Sequence, residues 1–252
     1  MNDLLIDMGN TRLKSARLKD GVLGCFESET YAEGMAIRCF EDFVSKQSDF
    51  LTVIVVSVLG ERFQLDVEAY CQKHKISLLW AASSLQAHGV RNSYLEPERL
   101  GSDRFVALVG ARKLFPKQYC IVIDCGTAVT IDALTDAGVF SGGVIIPGLQ
   151  LLGDSLTSRA NQLNAHQLES PSVFAKDTEQ AIGSGSLYGL VGAIDGVCQR
   201  MEVGLKQKVG SDLSVVKLLC GGDASLIAEH SSLSFEVLPH LVLTGLAEFT
   251  EQ

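Results

Sequence analysis

Residues 4–17 read LLIDMGNTRLKSAR, and residues 121–133 read IVIDCGTAVTIDA. In each stretch an apolar run ends at an aspartate, a glycine two residues later permits a tight turn, and alternating apolar and polar residues lead away from it. Aligning Asp7-Met8-Gly9-Asn10-Thr11 with Asp124-Cys125-Gly126-Thr127-Ala128 gives an offset of 117 residues (124 minus 7). Chance produces D-x-G twice in many chains, but it does not also supply apolar strands before each aspartate and alternating strands after it. The pair reads as an internal duplication of a strand, a turn and a hairpin.

Around these anchors strands alternate with helices. The spacing predicts helices over 33–47 and 61–74, β-branched or apolar strands over 53–57 and 76–80, and a polar loop over 91–98. A helix over 103–114 follows, then a strand over 119–123. A second meander, 127–134 and 139–146, is joined by Asp136-Ala137-Gly138, and Pro147-Gly148 precedes another helix. The expected class is α/β with two lobes, 1–112 and 113–252, each a mixed sheet flanked by helices. No low-complexity or linker segment separates them.

A helix expected from Thr178 to about Lys206 contains Gly185, Gly189, Gly192 and Gly196, which share one face. Each glycine costs a helix about 1 kcal/mol relative to alanine, so the stripe implies close backbone approach, either within the chain or at a homodimer interface.

Composition narrows the function classes. The chain has 252 residues, 46% hydrophobic and 20% charged, enough to bury a sizeable core. Its net charge of -9 argues against a nucleic-acid binder, which needs a basic face. No basic segment followed by a long apolar one opens the chain, and the longest strongly apolar run, 51–59, is too short for a bilayer. The expectation is a soluble cytoplasmic protein with no membrane partner. Seven cysteines without a CxxC pair read as reduced thiols, and five dispersed histidines indicate no zinc site.

The first turn, Asp7 to Lys14, can hold phosphate: Gly9 lets backbone N–H groups approach oxygens, Asn10 and Thr11 can donate, Lys14 adds positive charge, and Asp7 can bind magnesium. An ordinary hairpin turn is the simpler use of the same residues. The second motif repeats the arrangement with Asp124 and Thr127 in the turn and Thr130 and Asp132 on the outgoing strand. Leu100-Gly101-Ser102-Asp103-Arg104 opens a helix whose N-terminus favours an anion. Ser102 or Asp103 can cap that helix; alternatively, Asp103 takes a proton from a substrate hydroxyl while Arg104 anchors an anion. Gly142-Gly143-Val144-Ile145-Ile146-Pro147-Gly148 suits packing or ligand approach. Cys220-Gly221-Gly222-Asp223 is either a bare strand-to-helix turn or a place for a nucleoside.

Together, D-x-G-N-T with Lys14, G-x-D-R at 101–104, D-x-G-T-A-x-T-x-D at 124–132 and G-G-x-I-x-P-G at 142–148 resemble the type III pantothenate kinases, from residue 4 to the GGD at 221–223. The resemblance implies a duplicated ribonuclease H-like, actin-like ATPase fold, with ATP and magnesium as cofactors and pantothenate as the substrate. It implies that residues 7–14 (Asp7, Met8, Gly9, Asn10, Thr11, Arg12, Leu13, Lys14) and Thr127 hold the nucleotide. The same resemblance implies that Gly101, Ser102, Asp103 and Arg104 contact pantothenate, with Asp103 as general base, and that Asp124 is a ligand of an activating monovalent cation, potassium or ammonium.

Tyr94 in N-S-Y-L-E-P matches a pantothenate-pocket tyrosine, and Thr178 matches a threonine that reaches the substrate; a loop aromatic and a first-turn residue beside an Asp177–Gln180 capping box are the local alternatives. The family forms homodimers whose pantothenate pocket includes both subunits. Phe105 stands where many relatives carry tryptophan. Competing readings are another kinase or phosphatase of the fold, a non-catalytic nucleotide-binding regulator like the Bvg accessory factors, and an Hsp70-like or actin-like assembly module.

Overall fold

The structure, a computed structural model, describes residues 2–157, 171–210 and 212–250. The chain divides into two compact units, one of Met1–Lys117, Ala137–Phe140 and His240–Gln252, the other of Gln118–Asp136 and Ser141–Pro239.

The first unit opens with β1 (Asn2–Met8), β2 (Arg12–Lys19) and β3 (Val22–Thr30), an antiparallel meander. After α1 (Ala36–Ser45) come β4 (Thr52–Ser57), α2 (Gly60–His74) and β5 (Ser77–Trp80), giving the sheet order β3-β2-β1-β4-β5 with β1, β4 and β5 parallel. β1 is hydrogen-bonded on both edges, so its unbroken run of Leu4, Leu5 and Ile6 is buried on both faces. Phe40, Phe43 and Val44 of α1 and Phe63, Val67 and Cys71 of α2 recur at helical spacing and close over that sheet.

The segment read as a polar loop is partly ordered: β6 (Gln86–Ala87) and β7 (Val90–Asn92) form a hairpin, and Pro97–Arg99 is a turn of 3-10 helix. Strands this short fall below what alternation can reveal. α3 (Ser102–Leu114) follows, buried continuously from Arg104 to Ala111.

The second unit repeats the plan. β8 (Tyr119–Cys125), β9 (Ala128–Leu134) and β10 (Val139–Pro147) are followed by α4 (Leu149–Thr157), α5 (Thr178–Val209), β11 (Val215–Gly221), α6 (Ala224–His230) and β12 (Glu236–Val237). Its strand order, β10-β9-β8-β11-β12, is the order of β3-β2-β1-β4-β5, with β8, β11 and β12 parallel. The duplication expected from the two D-x-G turns is therefore a duplication of topology. Val139 and Phe140, at the start of β10, belong to the first unit and pair there with Arg91 and Asn92 of β7.

At 32 residues α5 is long and apolar enough to cross a membrane, but Leu187, Leu190, Ile194 and Cys198 lie in the core of the second unit beside Ile121, Ile123 and Leu219. Asp195, on the same helix, accepts hydrogen bonds from the Ser231 and Ser232 hydroxyls and the Ser232 N–H. It is a core helix.

α7 (Leu241–Leu246) returns the chain to the first unit and crosses α3. The crossing is glycine on glycine: a Cβ at Gly245 would run into the Val106 carbonyl, and one at Gly110 into the Leu241 carbonyl. Gly245→Ala is expected to cost about 1–3 kcal/mol by overpacking, read as a lower denaturation midpoint in urea; an unchanged midpoint would show that the two helices can separate freely.

Candidate active site

On the first unit Asp7 is the penultimate residue of β1, 7% exposed, and the strand register sets it directly across from Lys14 of β2. The carboxylate and the Lys14 ammonium are 3.8 Å apart. Between them the chain turns through Gly9, Asn10, Thr11 and Arg12, closed by the Gly9 N–H donating to the Arg12 carbonyl at 3.1 Å. Asn10, Thr11 and Arg12 are exposed, whereas the Met8 and Leu13 side chains are fully buried and leave only main chain towards the turn.

Tyr31, which the sequence did not single out, buttresses this turn. Its hydroxyl donates to the Gly9 carbonyl, and its N–H donates to the Thr11 carbonyl at 3.0 Å. Burial, then the neighbouring Cys39 and Asp7, push the phenol up to about 12, so it stays a neutral donor at physiological pH. Only the pairing of β3 with β2 brings it there, a contact that no local motif encodes.

Arg104 is 6% exposed, and its Nη1 donates to the Tyr94 hydroxyl at 3.1 Å. The guanidinium lies 5.8 Å from the Tyr94 ring centre and 5.9 Å from that of Phe140, within cation–π range of both. Tyr94 is thus more than a loop aromatic: it forms part of the wall around a buried cation. Gly101 is the N-cap of α3, without a side-chain cap, so neither Ser102 nor Asp103 holds that position. The half-buried Asp103 carboxylate folds back over Gly101 and accepts the Arg104 N–H at 2.8 Å.

On the second unit Asp124 is likewise penultimate in its strand, across from Thr130 of β9 and beside Cys220 of β11. The turn is Gly126-Thr127-Ala128, with the Gly126 N–H donating to the Ala128 carbonyl at 3.1 Å and Thr127 exposed. Gly148 donates to the Thr127 carbonyl at 3.0 Å, which assigns the end of the G-G-x-I-x-P-G stretch a packing role against this turn. The Asp223 N–H donates to the Cys125 carbonyl at 3.2 Å.

Gly221 has φ +95°, and a Cβ there would strike both the Cys125 carbonyl and the Asp124 carboxylate. GGD is therefore built onto the Asp124 turn rather than being a bare connection. Burial, together with Asp124 and Asp223, pushes the Cys125 thiol well upward, a sign of the local acidity.

Thr178 is the first residue of α5 and is exposed. Asp177 caps the helix by accepting the Gln180 N–H at 2.7 Å, while the Gln180 side chain accepts the Lys176 N–H at 2.9 Å, one residue short of the reciprocal box. Capping is thus done by Asp177. Among the described residues no cluster of three or more His, Cys, Asp or Glu forms a metal cage.

The profile of the type III pantothenate kinase family matches residues 3–200. The chain belongs to that family. It is 35% identical to the type III pantothenate kinase of Janthinobacterium sp. (strain Marseille) and 36% identical to that of Herminiimonas arsenicoxydans, each alignment covering 96% of this chain and 95% of the relative. Among solved structures it resembles a Baf family protein from Campylobacter jejuni (TM-score 0.59, 18% identity, 98% of this chain and 96% of that one). It also resembles MreB 5 of Spiroplasma citri (TM-score 0.50, 11% identity, 97% and 94%). The fold is thus that of the actin-like ATPases, as the family resemblance implied.

Tyr31→Phe is expected to raise the KM for ATP about 3–10-fold, the worth of one hydrogen bond, with little change in the KM for pantothenate. Steady-state kinetics with each substrate varied in turn checks this; an unchanged KM for ATP would mean the turn holds its shape unaided.

Proposed function

We propose that this chain transfers the γ-phosphoryl group of ATP to the primary hydroxyl of pantothenate, giving 4′-phosphopantothenate, the first step of coenzyme A synthesis. Family membership supports ATP-dependent phosphotransfer with pantothenate as acceptor. The observation that carries the residue-level reading is the cluster at the start of α3: a buried guanidinium held by a phenol, with a carboxylate on the residue before it.

In this reading Arg104 pairs with the pantothenate carboxylate, Tyr94 fixes the guanidinium and lines the pocket, and Gly101, Ser102 and Thr178 add contacts. Asp103 accepts the proton of the hydroxyl as its oxygen bonds to the γ-phosphorus. The bond from that phosphorus to the β,γ-bridging oxygen breaks, and ADP leaves with the electron pair. Asn10, Thr11, Arg12 and the main chain of Met8, Gly9 and Leu13 suit the phosphates on the first turn, and Thr127 suits them on the second.

Asp7 suits magnesium, whose charge, with that of a monovalent cation, offsets the phosphates when bound. Asp124 suits potassium or ammonium: a threonine rather than a lysine faces it across the sheet, and Asp223 makes the surroundings acidic. Reaction in the cytoplasm, where ATP is made and thiols stay reduced, agrees with five buried cysteines.

Asp103→Asn keeps an oxygen for the Arg104 N–H but loses the base. Turnover is expected to fall about 10²–10⁴-fold with little change in melting temperature. Turnover near that of the wild type would remove the base assignment. Wild-type protein making no ATP-dependent product from pantothenate, with potassium present, would remove the function.

The active assembly is a homodimer packed through α5. Gly185, Gly189 and Gly192 are exposed, and among the described residues nothing lies where their Cβ atoms would be, so the stripe makes no internal helix contact there. Val173 and Phe174, just before α5, are 72% and 79% exposed. Light scattering should give twice the chain mass for the wild type and the single-chain mass for Gly189→Arg; a monomeric wild type would refute the dimer.

A further inference from the structure

Asn92 is 2% exposed, although its side chain is polar and stands outside every motif that carries phosphate or proton chemistry. Its amide is used at both ends. Nδ2 donates to the Pro97 carbonyl at 2.8 Å and to the Ser83 hydroxyl at 3.2 Å, and Oδ1 accepts the Tyr94 N–H at 3.0 Å. Ser83 continues the network: its hydroxyl donates to the same Pro97 carbonyl at 2.9 Å, and its N–H donates to the Ser102 hydroxyl at 3.4 Å. The Leu100 N–H also donates to Pro97, at 3.3 Å. One carbonyl oxygen thereby gathers the strand end at Asn92, the segment after β5 and the approach to α3.

From this geometry we infer that Asn92, with Ser83, is a positioning residue for the acceptor side of the reaction. The hub holds Tyr94 at its main chain and Ser102 at its side chain. Those residues carry the phenol bonded to Arg104 and the residue preceding Asp103. The loop from Asn92 to Ser102 is thus bound at both ends and in the middle, and the Tyr94 hydroxyl meets Arg104 in a fixed place. Pairing of Asn92 with Phe140, and the Ser93 hydroxyl donating to the Phe140 carbonyl, attach the same loop to the strand whose ring faces the guanidinium.

The chemistry of the amide explains why asparagine stands here. Aspartate is nearly the same shape but has no donors, and it would set a charge against the Pro97 carbonyl at a buried position. Serine is too short to span from the Tyr94 N–H to Pro97. Misplacement of a binding group by about 1 Å can cost up to about 10²-fold in rate, so the loss should be read on the acceptor substrate and not on the nucleotide.

The inference rests on pantothenate being the acceptor, and the experiment separates the two claims. Wild type, Asn92→Ala, Tyr94→Phe and the double variant are assayed with pantothenate and ATP varied independently, and thermal stability is recorded for each. Asn92→Ala is expected to raise the KM for pantothenate about tenfold with the KM for ATP within about twofold. The double variant should be little worse than Tyr94→Phe alone, because both changes act through the same phenol. Ser83→Thr, which keeps the hydroxyl, should retain a KM near wild type, while Ser83→Ala should not.

Lower stability with both KM values unchanged would overturn the positioning role and leave Asn92 a structural residue. Fully additive effects of Asn92→Ala and Tyr94→Phe would overturn the route through Tyr94. A wild type inactive on pantothenate would overturn the acceptor reading and this inference with it.

Discussion

A strand hydrogen-bonded on both edges and buried on both faces keeps its middle apolar and confines charge to its ends. β1 and β8 are the two central strands of their units, and in each an apolar run, Leu4 to Ile6 and Cys120 to Ile123, ends at an aspartate in the penultimate position. The glycine two residues further on then reverses the chain, its N–H closing the turn on the Arg12 carbonyl in the first unit and the Ala128 carbonyl in the second. Carboxylate and turn therefore arrive together, at the end of the strand where the sheet ladder stops. The rest of each site is arranged around that point: the strand beside it supplies the facing side chain, and the following loops supply the support.

The two halves share topology but not register. Met8 pairs with Leu13, which leaves four residues in the first turn, whereas Cys125 pairs with Val129, which leaves three in the second. Because side chains alternate with period two, that single residue decides what faces each aspartate. Asp7 faces Lys14 and Asp124 faces Thr130. The supports differ as well. A phenol from the residue just after β3 holds the first turn, while two main-chain segments, at Gly148 and at Gly221 to Asp223, hold the second. A duplicated frame has thus been given one turn with its own cation and one set among acids.

Much of this was legible because the signals are local. Apolar runs ending at Asp7 and Asp124, the helical spacing of Phe63, Val67 and Cys71, and the Gly-Ser-Asp-Arg opening of α3 each sit within a few residues of the feature they specify. The unread parts depend on contacts distant in sequence. Nothing near Tyr31 announces that it will support Gly9, and nothing near Ser83 announces Ser102. The two-residue and three-residue strands β6 and β7 are too short for periodicity, and α7 has six residues whose placement is decided by Gly110 on another helix. Even the start of α5, where Asp177 reads as a cap, differs in detail, since the Gln180 side chain reaches Lys176 instead of closing the box.

The order Asp-Arg at the start of α3 carries its own geometric logic. Consecutive helical residues are rotated by about 100°, so two neighbours cannot face the same way. Arg104 faces inward, between Tyr94 and Phe140, where low exposure makes a guanidinium a strong anchor for one anion. Asp103 lies at the half-buried edge, over a residue without a side chain. The proposed anchor and base, on adjacent residues of a rigid element, keep their separation whatever the loops around them do. Fixing the helix against α7 through Gly110 and Gly245 extends that rigidity to the proposed base, and it leaves the loop from Asn92 to Ser102 as the part whose position must be set by polar bonds instead of packing.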